Sequence, residues 1–203
     1  MGLDYIMKFE LRKMKFAYLF IALFTASSGF AQNFEGVISM NTTNEELKET
    51  ASVTWYLKGD KSRMDIVSKA GDYNSQYAVI ADEKGMDMVA EGHVTAVPQT
   101  AMKVDLATQS LVSELDGVSM NGHTCKQVVY TDGVNKTTYW LATGLGVSFD
   151  DIPFVIKRNM PKISSQGFPV RMEKRNAEGK VVLSQDVVSV SPSTVDDAKF
   201  ERK

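Results

Sequence analysis

The residues with the clearest chemical potential are His123 and Cys125, which stand two positions apart in the segment HTCKQVVYTD. On a β-strand, side chains two positions apart point to the same face, so this pair has the geometry for a metal site or for a thiol activated by an imidazole. A structural zinc site requires four ligands, however, and the sequence holds one cysteine and two histidines, the other being His93. We therefore favour a small buried thiol beside an exposed imidazole, and we expect no metal. A disulfide from Cys125 to another protein in an oxidising compartment is a further alternative.

Two pairs of adjacent carboxylates, Asp150-Asp151 and Asp196-Asp197, are the other candidates for catalysis. Neighbouring residues on a strand or loop point apart, whereas the paired carboxylates of hydrolytic enzymes face each other across a cleft at about 5–9 Å. We expect the first pair to cap a helix and the second to lie in a turn. The sequence contains no nucleophile elbow and no HExxH motif, and the two glycines of GLGVSF (144–149) predict a turn rather than a phosphate loop. We expect a protein that is not an enzyme and that needs no cofactor.

A set of methionines in strand-like segments is the more distinctive feature of the chain. Flexible, polarizable methionine side chains line surfaces that accept varied apolar ligands, although they also fill gaps in ordinary cores. The residues alone favour the ordinary core. The alternative is an apolar hollow, for which the predicted ligand-binding residues are Phe34, Met40, Trp55, Met64, Ile66, Met86, Met88, Trp140 and Met172.

The elements that position these residues are predicted to be antiparallel strands, because short stretches of alternating apolar and polar residues are broken by turn residues. In FEGVISM (34–40) and SVTWYLK (52–58), for example, the apolar residues fall on alternate positions. Four pairs of such stretches predict hairpins, with turns at Gly59-Asp60, Glu83-Lys84, Gly133-Val134 and 176–179. The sequence predicts nine or ten strands in all.

Two segments depart from this alternation. Residues 100–115 predict a loop or a short helix, with leucines loosely spaced along one stripe. Residues 148–161 predict a helix that begins near Asp150-Asp151 with Pro153 in its first turn. The fold class we expect is mainly β with minor α: one sheet curled around an apolar face, with one or two short helices.

The N-terminal stretch MKFAYLFIALFTASSGFAQ (14–32) predicts export. A basic start is followed by an apolar run of about 11 residues, whereas a membrane-spanning helix needs about 20. Small residues at Gly29 and Ala31 then mark a cleavage site before Gln32, as in a secretory signal peptide. We expect residues 1–31 to be removed, leaving 32–203 as one domain without a lipid anchor or a transmembrane anchor.

Composition limits the partners of this domain. The chain has 23 basic and 25 acidic residues, of which four and two lie in the leader, so the remaining domain carries a net charge of −4. A mildly acidic chain without a basic cluster has no electrostatic reason to bind nucleic acid.

The order of several short phrases resembles a known family. FEGVISM is followed by WYLKGDKSRMDI, YAVIADEKGMDMV, NGHTCKQVVYTD and TTYWLAT, and the chain closes with GFPVRMEK and VDDAKFE. This order resembles the exported bacterial proteins of the DUF4412 family, common in Bacteroidetes, over about residues 34–200. That family is similar to the LolA/LolB-like lipoprotein-carrier architecture, in which a curved antiparallel sheet forms an open half-barrel over an apolar hollow.

The resemblance implies a fold, and it supplies no catalytic residues. Combined with the predicted export, it favours a non-enzymatic periplasmic binding or carrier-like protein whose partner is a lipid, an acyl chain or a hydrophobic or lipidated segment. The alternative is an envelope structural or interaction protein with a filled core that docks another envelope protein.

Overall fold

The computed structural model describes residues 34–98, 109–152 and 167–202, and within these ranges β-strands account for most of the chain. Eleven strands form one antiparallel sheet in this described part. In chain order they are β1 (Gly36–Asn44), β2 (Glu49–Lys58), β3 (Lys61–Ala70), β4 (Tyr73–Asp82), β5 (Gly85–Ala90), β6 (His93–Ala96), β7 (Ser110–Met120), β8 (His123–Thr131), β9 (Lys136–Ala142), β10 (Phe168–Arg175) and β11 (Val181–Pro192). Two short 3₁₀ helices accompany them, at Phe149–Asp151 and Asp197–Phe200.

The strand order across the sheet is β6-β5-β4-β3-β2-β1-β11-β10-β9-β8-β7. Strands that follow each other in sequence are neighbours, except for β6 and β7, which lie at the two edges, and the first strand, β1, pairs with the last, β11, in the middle. The sheet therefore consists of two ladders of hairpins, β1–β6 and β7–β11, joined along one central pair. Its outer strands, β6 and β7, do not pair with each other, so the sheet stays open.

The sheet is curved, as a contact between two separated strands shows. Trp55 on β2 and Phe168 on β10 have β1 and β11 between them, so three strand spacings would put their backbones about 14 Å apart in a flat sheet. Their ring centroids nevertheless lie 6.5 Å apart, on the side of the sheet that carries the main core. This is the open half-barrel that the sequence predicts, so the expected fold class is confirmed.

All four predicted hairpins are present, as β2–β3, β4–β5, β8–β9 and β10–β11. Gly59 begins the first of these turns with a φ of 58°, a left-handed conformation that glycine adopts without steric cost. Four further hairpins, β1–β2, β3–β4, β5–β6 and β7–β8, together with the pairing of β9 and β10, complete the two ladders. The strand count is therefore slightly higher than predicted.

The two segments without alternation have different outcomes. The predicted loop or helix at 100–115 is wrong for residues 110–115, which belong to β7, while residues 100–108 lie outside the described part. As an edge strand, β7 is exposed along most of its length and so shows no alternation of apolar and polar residues. The predicted helix near Asp150 begins as the 3₁₀ helix Phe149–Asp151, and its continuation from 153 lies outside the described residues.

Burial follows the alternation. On β1, for example, Ile38 and Met40 are buried, whereas the residues between them are only half-buried. One core cluster of alternate residues from both ladders covers the concave side of the sheet. Among the residues described, no helix combines the length and apolarity that a bilayer crossing requires.

Candidate functional site

Eight of the nine residues predicted to line an apolar hollow lie together in the concave core cluster. None of them is more than 4% exposed. They come from the segment before β1 and from β1, β2, β3, β5 and β10, namely Phe34, Met40, Trp55, Met64, Ile66, Met86, Met88 and Met172. The sheet therefore unites side chains that are far apart in sequence into one apolar face.

Trp140 lies apart from the other eight. It belongs to a separate buried cluster with Cys125, Ala142 and Val170. On β9 the neighbours of Trp140, Tyr139 and Leu141, belong to the concave cluster, so alternation directs Trp140 to the opposite side.

The strand register lines up the concave residues in rows that run across the sheet. One row passes from Met88 through Val79, Met64 and Trp55 to Ile38, each directly opposite the next on the neighbouring strand. All five side chains are buried and apolar. Such a row gives a continuous apolar surface about five strands wide. The flexible methionine side chains allow the shape of this surface to adapt.

One end of the concave face, which we call the aromatic end, is formed around Phe34, Trp55 and Phe168. The indole Nε1 of Trp55 donates a 2.6 Å hydrogen bond to Ser62 Oγ, and both residues are fully buried. A Cβ added at Gly36 would come within 2.5 Å of the backbone carbonyl oxygen of Ser191 and within 2.7 Å of the Phe34 ring. Glycine is therefore required at this position by close approach.

The C-terminal segment 193–202 crosses the strand ends at the aromatic end. At its start, the backbone N–H of Ser193 donates a hydrogen bond to the carbonyl oxygen of Glu35. Further along, the side chains of Val195 and Phe200 are buried against the sheet. Asp197 accepts hydrogen bonds from Lys61 at 2.8 Å and Lys58 at 2.9 Å, which lower its pKa to about 2.

The last described residue of this segment, Arg202, is held by two carboxylates. Its guanidinium binds Asp82 through two hydrogen bonds of 2.8 and 2.9 Å and also contacts Asp87. The hydrogen bonds from Arg202 are the main reason that the pKa of Asp82 is lowered. The C-terminal segment is thus fastened across β1 to β5 by charge-assisted contacts.

The opposite end, which we call the polar end, carries Thr42 and Gln185 in one row and Tyr77 in the neighbouring row, three strands away from Thr42. Each of these side chains is 3% exposed. Thr42 Oγ1, Tyr77 OH and Gln185 Oε1 are buried and have no hydrogen-bond partner in the described part of the chain. Buried polar atoms in proteins are nearly always paired, so three such atoms on one face are unusual.

Register places these three side chains on the concave side. Thr42 follows Ile38 and Met40 in the buried alternation of β1, and it lies directly opposite Gln185 on β11. The amide Nε2 of Gln185 donates to Met40 Sδ at 2.9 Å, at the border with the apolar rows. Tyr77 lies opposite Ile66 on β3 and belongs to the concave core cluster.

Glu49 adds a buried carboxylate to the polar end, with 8% exposure. Burial raises the pKa of the Tyr77 hydroxyl, and the Glu49 carboxylate raises it further, so this hydroxyl stays protonated. Sequence reasoning missed the polar end because Thr42, Tyr77 and Gln185 are ordinary polar members of strand-like segments. The sequence did hold one indication of it. Thr42 continues the series of alternate positions formed by Phe34, Gly36, Ile38 and Met40, which predicts that its side chain points to the same side of the sheet.

The contact between Cys125 and His123 in the described structure runs through the backbone of His123, not through its imidazole. Cys125 is buried and its thiol donates to the backbone carbonyl of His123 at 3.6 Å, while His123 is half-buried. Burial raises the pKa of the Cys125 thiol, which disfavours the reactive thiolate. Among the described residues, no three His, Cys, Asp or Glu side chains are grouped as metal ligands, and His93 lies exposed at the start of β6.

Three carboxylates of the two aspartate pairs, those of Asp151, Asp196 and Asp197, make structural contacts. Asp151 accepts hydrogen bonds from the backbone N–H groups of Ser148 (2.7 Å) and Phe34 (3.2 Å) and so ties the start of β1 to the 3₁₀ helix. Asp196 caps the second 3₁₀ helix through the N–H of Ala198, and Asp197 binds lysines.

The edge strand β7 presents a different surface. Its backbone has a neighbour, β8, on one side only in the described sheet, and Leu111, Val112 and Leu115 are about half exposed. Irregularities in its register interrupt the pairing with β8 at Leu111/Ser113 and Leu115/Val118.

The comparisons with known proteins agree with this architecture. The model of the family described as "Domain of unknown function (DUF4412)" matches residues 34–202. No curated protein matches the chain.

Solved structures with a similar fold include an uncharacterized conserved protein from Thermus thermophilus. It is 13% identical, with a TM-score of 0.54, and the alignment covers 94% of this chain and 92% of that one. A structure of MucB is 9% identical with a TM-score of 0.47 and coverages of 91% and 61%. A putative outer membrane lipoprotein-sorting protein domain from Vibrio parahaemolyticus is 8% identical, with a TM-score of 0.40 and coverages of 94% and 95%. Similarity at these identities concerns the fold alone.

Proposed function

The chain belongs to the DUF4412 family, and from that premise we propose that it is a non-enzymatic binding or carrier-like protein of the bacterial envelope. Its concave face would take an apolar group, such as the acyl chain of a lipid or a lipidated or hydrophobic segment. The ligand is held by burial of apolar area, and no cofactor takes part.

The observation that carries this proposal is the continuous apolar face inside an open, curved sheet. Five methionines from β1, β3, β5 and β10 belong to it, and their side chains can repack around ligands of different shape. Each methylene of a bound chain would contribute about 0.8 kcal/mol when it leaves water, so a long acyl chain can bind tightly without any polar contact.

Access to this face requires a movement, because its side chains are at most a few per cent exposed. A ligand therefore enters only when these side chains move apart. Association that requires such a change is slower than the diffusion limit.

The proposed location rests on the sequence of residues 14–32, which has the three-part pattern of a cleaved signal peptide. These residues precede the described part of the chain. N-terminal sequencing of the protein purified from its own cells tests this location, and a chain that still carries residues 14–31 would contradict it.

Titration of the delipidated mature chain with a fluorescent fatty acid tests the binding function. We expect saturable binding at one site per chain, and a Met88→Ala variant should favour a longer acyl chain because it leaves room beside Val79 and Met64. Val67→Ala, at a half-exposed position of β3, is the matched control and should bind as the native chain does. Absence of saturable binding by a protein with a native circular dichroism spectrum would refute the proposal.

A second candidate function is docking of another envelope protein, which the exposed edge strand β7 favours. Its open backbone groups and the exposed Leu111, Val112 and Leu115 suit the addition of a strand from a partner. A Leu115→Lys variant should then lose a partner that co-purifies with the native chain from envelope extracts, while fatty acid binding is unchanged. Co-purification that is unaffected by this substitution would argue against docking at β7.

A further inference from the structure

We propose that the turns beyond the polar end of the sheet dock the protein on the surface of a lipid bilayer. The contact is made by Leu47, Tyr73 and Val134, which we call the rim residues. This inference goes beyond the proposed binding function, because it concerns where the protein binds and holds whether or not the concave face takes a ligand.

The rim residues lie at the same end of the sheet. Leu47 is in the β1–β2 turn, Val134 is in the β8–β9 turn, and Tyr73 is the first residue of β4, directly after the β3–β4 turn. In this antiparallel order the end of β1 meets the start of β11, so all three turns fall on that side. The exposed fractions are 39% for Leu47, 55% for Tyr73 and 66% for Val134.

The turns at the other end of the sheet differ in composition. The β2–β3, β4–β5 and β7–β8 turns, at 59–60, 83–84 and 121–122, are polar or contain glycine, and they hold no exposed large apolar residue. Turns favour Gly, Pro, Asn, Asp and Ser for reasons of backbone geometry, so those needs do not explain a leucine or a valine in a turn. Single exposed apolar residues are common on protein surfaces, whereas their concentration at one end of a molecule indicates an interaction surface.

The β8–β9 turn presents Val134 without leaving its backbone donors unpaired. The N–H groups of Val134 and Asn135 donate to Asp132 Oδ1 at 3.0 and 2.6 Å, and the N–H of Gly133 donates to Thr131 Oγ1 at 3.1 Å. The N–H of Asp132 donates to the carbonyl oxygen of Asn135 at 3.2 Å. Because a donor that loses water without gaining a partner is costly, a turn that pairs its own N–H groups can enter the lipid head-group region at little cost.

Electrostatic attraction contributes little to this docking. The exposed charged residues in these three turns or within two residues of them are Glu45, Glu46, Asp72, Lys48, Lys69 and Lys136, so their charges cancel. Binding at a lipid interface depends on buried apolar area and on attraction to anionic lipids, and here only the first applies. The lysines can bury their aliphatic stems at the head-group level and keep their charges in water.

The spacing of the rim residues favours a lipid surface over a protein partner. In a flat sheet with neighbouring strands about 4.8 Å apart, the β1–β2 turn lies about 10 Å from the β3–β4 turn and about 20 Å from the β8–β9 turn. Protein partners bind most strongly where apolar side chains cluster in one desolvated centre. Separate apolar residues suit a fluid interface that each can enter independently, and the amphipathic ring of Tyr73 suits the head-group level.

Sedimentation with vesicles of palmitoyl-oleoyl phosphatidylcholine tests the proposal on the chain from Gln32 to Lys203. We expect the native chain to bind, and Leu47→Ser and Val134→Ser each to lower the partition coefficient about 5- to 10-fold through the loss of buried aliphatic area. Serine is a favoured turn residue, so both variants should fold. Val188→Ser is the matched control, because Val188 is 63% exposed but lies within β11, away from the turns, and this variant should bind as the native chain does.

A fluorescent probe locates the contact on the molecule. The two native tryptophans, Trp55 and Trp140, are buried, so a tryptophan introduced by Val134→Trp reports on the rim. Its emission should shift to shorter wavelength on addition of vesicles and should be quenched by brominated lipid. Val188→Trp is the control and should show neither effect.

Each other outcome overturns the proposal in a recognisable way. Absence of vesicle binding by the native chain would refute it, and so would binding that the rim variants leave unchanged. Binding that requires phosphatidylglycerol and disappears at high salt would refute the apolar contact. Loss of a co-purifying protein in the rim variants, without vesicle binding by the native chain, would assign the rim to a protein partner instead.

The fatty acid titration keeps this proposal distinct from the binding function. The Leu47→Ser and Val134→Ser variants should bind fatty acid as the native chain does, because both positions lie in turns outside the concave core cluster. Vesicle binding without fatty acid binding would refute the carrier function and leave the docking surface in place.

Discussion

The two ends of the concave face are built from the same strands but solve the problem of buried polar groups differently. At the aromatic end, the indole of Trp55 is paired with Ser62, and the C-terminal segment is fastened over the strand ends by ion pairs. At the polar end, Thr42, Tyr77 and Gln185 keep polar atoms that have no partner among the described residues.

This difference separates what stabilises the fold from what is available for a ligand. A sheet that can pair its buried polar atoms at one end has no physical obstacle to pairing them at the other. Local violations of polar satisfaction in an otherwise consistent structure tend to mark functional positions. The comparison therefore points to the aromatic end as the end that stabilises the fold, and it leaves the polar end with buried polar atoms that contribute no pairing energy.

The largest expected effect is at the aromatic end. Trp55→Ala should lower the free energy of unfolding by about 3–5 kcal/mol, because it removes a fully buried side chain that contacts Phe168 and leaves a cavity. Urea unfolding followed by circular dichroism measures this loss. Val67→Ala, at a half-exposed position, should change the stability by less than about 0.5 kcal/mol, and similar losses in both variants would contradict the assignment.

A pair of hydroxyl deletions sharpens the comparison. Ser62→Ala leaves the buried indole N–H of Trp55 without its partner and should cost about 1–3 kcal/mol. Thr42→Val removes an unpaired hydroxyl and should be neutral or slightly stabilising, within about 1 kcal/mol, because no partner is lost. Urea unfolding of the ligand-free chains compares the two. Equal losses would show that Thr42 is paired in solution and would remove the contrast between the ends.

The smallest expected effect is a loosening of the C-terminal segment in acid. The pKa of Asp197 is lowered to about 2, mainly by the hydrogen bond from Lys61, and that of Asp82 is lowered by Arg202. A carboxylate whose pKa is lowered on folding stabilises the fold above its unfolded pKa, about 3.9, and this stabilisation is lost as the pH falls towards the folded pKa. We therefore expect the segment to detach between about pH 4 and pH 2.

Methyl resonances in NMR spectra measure this acid effect separately in the C-terminal segment and in the core. The methyl groups of Val195 should shift in this pH range before those of Val53, which lies in the core on β2. Simultaneous shifts of both would indicate global unfolding instead. A Val195 titration near neutral pH would also contradict the assignment to Asp197 and Asp82.

Much of the fold was predictable because local physics determines it. Alternation in segments such as 52–58 fixes which side chains face the core, and a turn such as Gly59-Asp60 fixes the hairpin. Eight of the nine predicted hollow residues lie in one cluster for this reason. Whether that cluster binds a ligand stays a prediction.

Trp140 and β7 show where local patterns fail. From Tyr139 to Ala142 both sides of β9 are buried, so apolar and polar residues do not alternate there. The side of the sheet to which Trp140 points therefore cannot be inferred from the residue types, because it depends on the register with the neighbouring strands. β7 has the opposite difficulty, since it is exposed along most of its length and carries no burial pattern. The polar end requires knowledge of which strands are neighbours, because Thr42 meets Gln185 only through the pairing of β1 with β11.

That central pairing has a consequence for how the chain reaches its native state. Asn44 is opposite Leu183 and Gly36 is opposite Pro192, so the two strands that join the ladders are the first and the last of the described sheet. Local hairpins form quickly, whereas contacts between such distant residues must first overcome the entropy of closing a long loop. Folding of the sheet can therefore finish only after β11 has been synthesised, and until then each incomplete ladder exposes its apolar side, which favours aggregation.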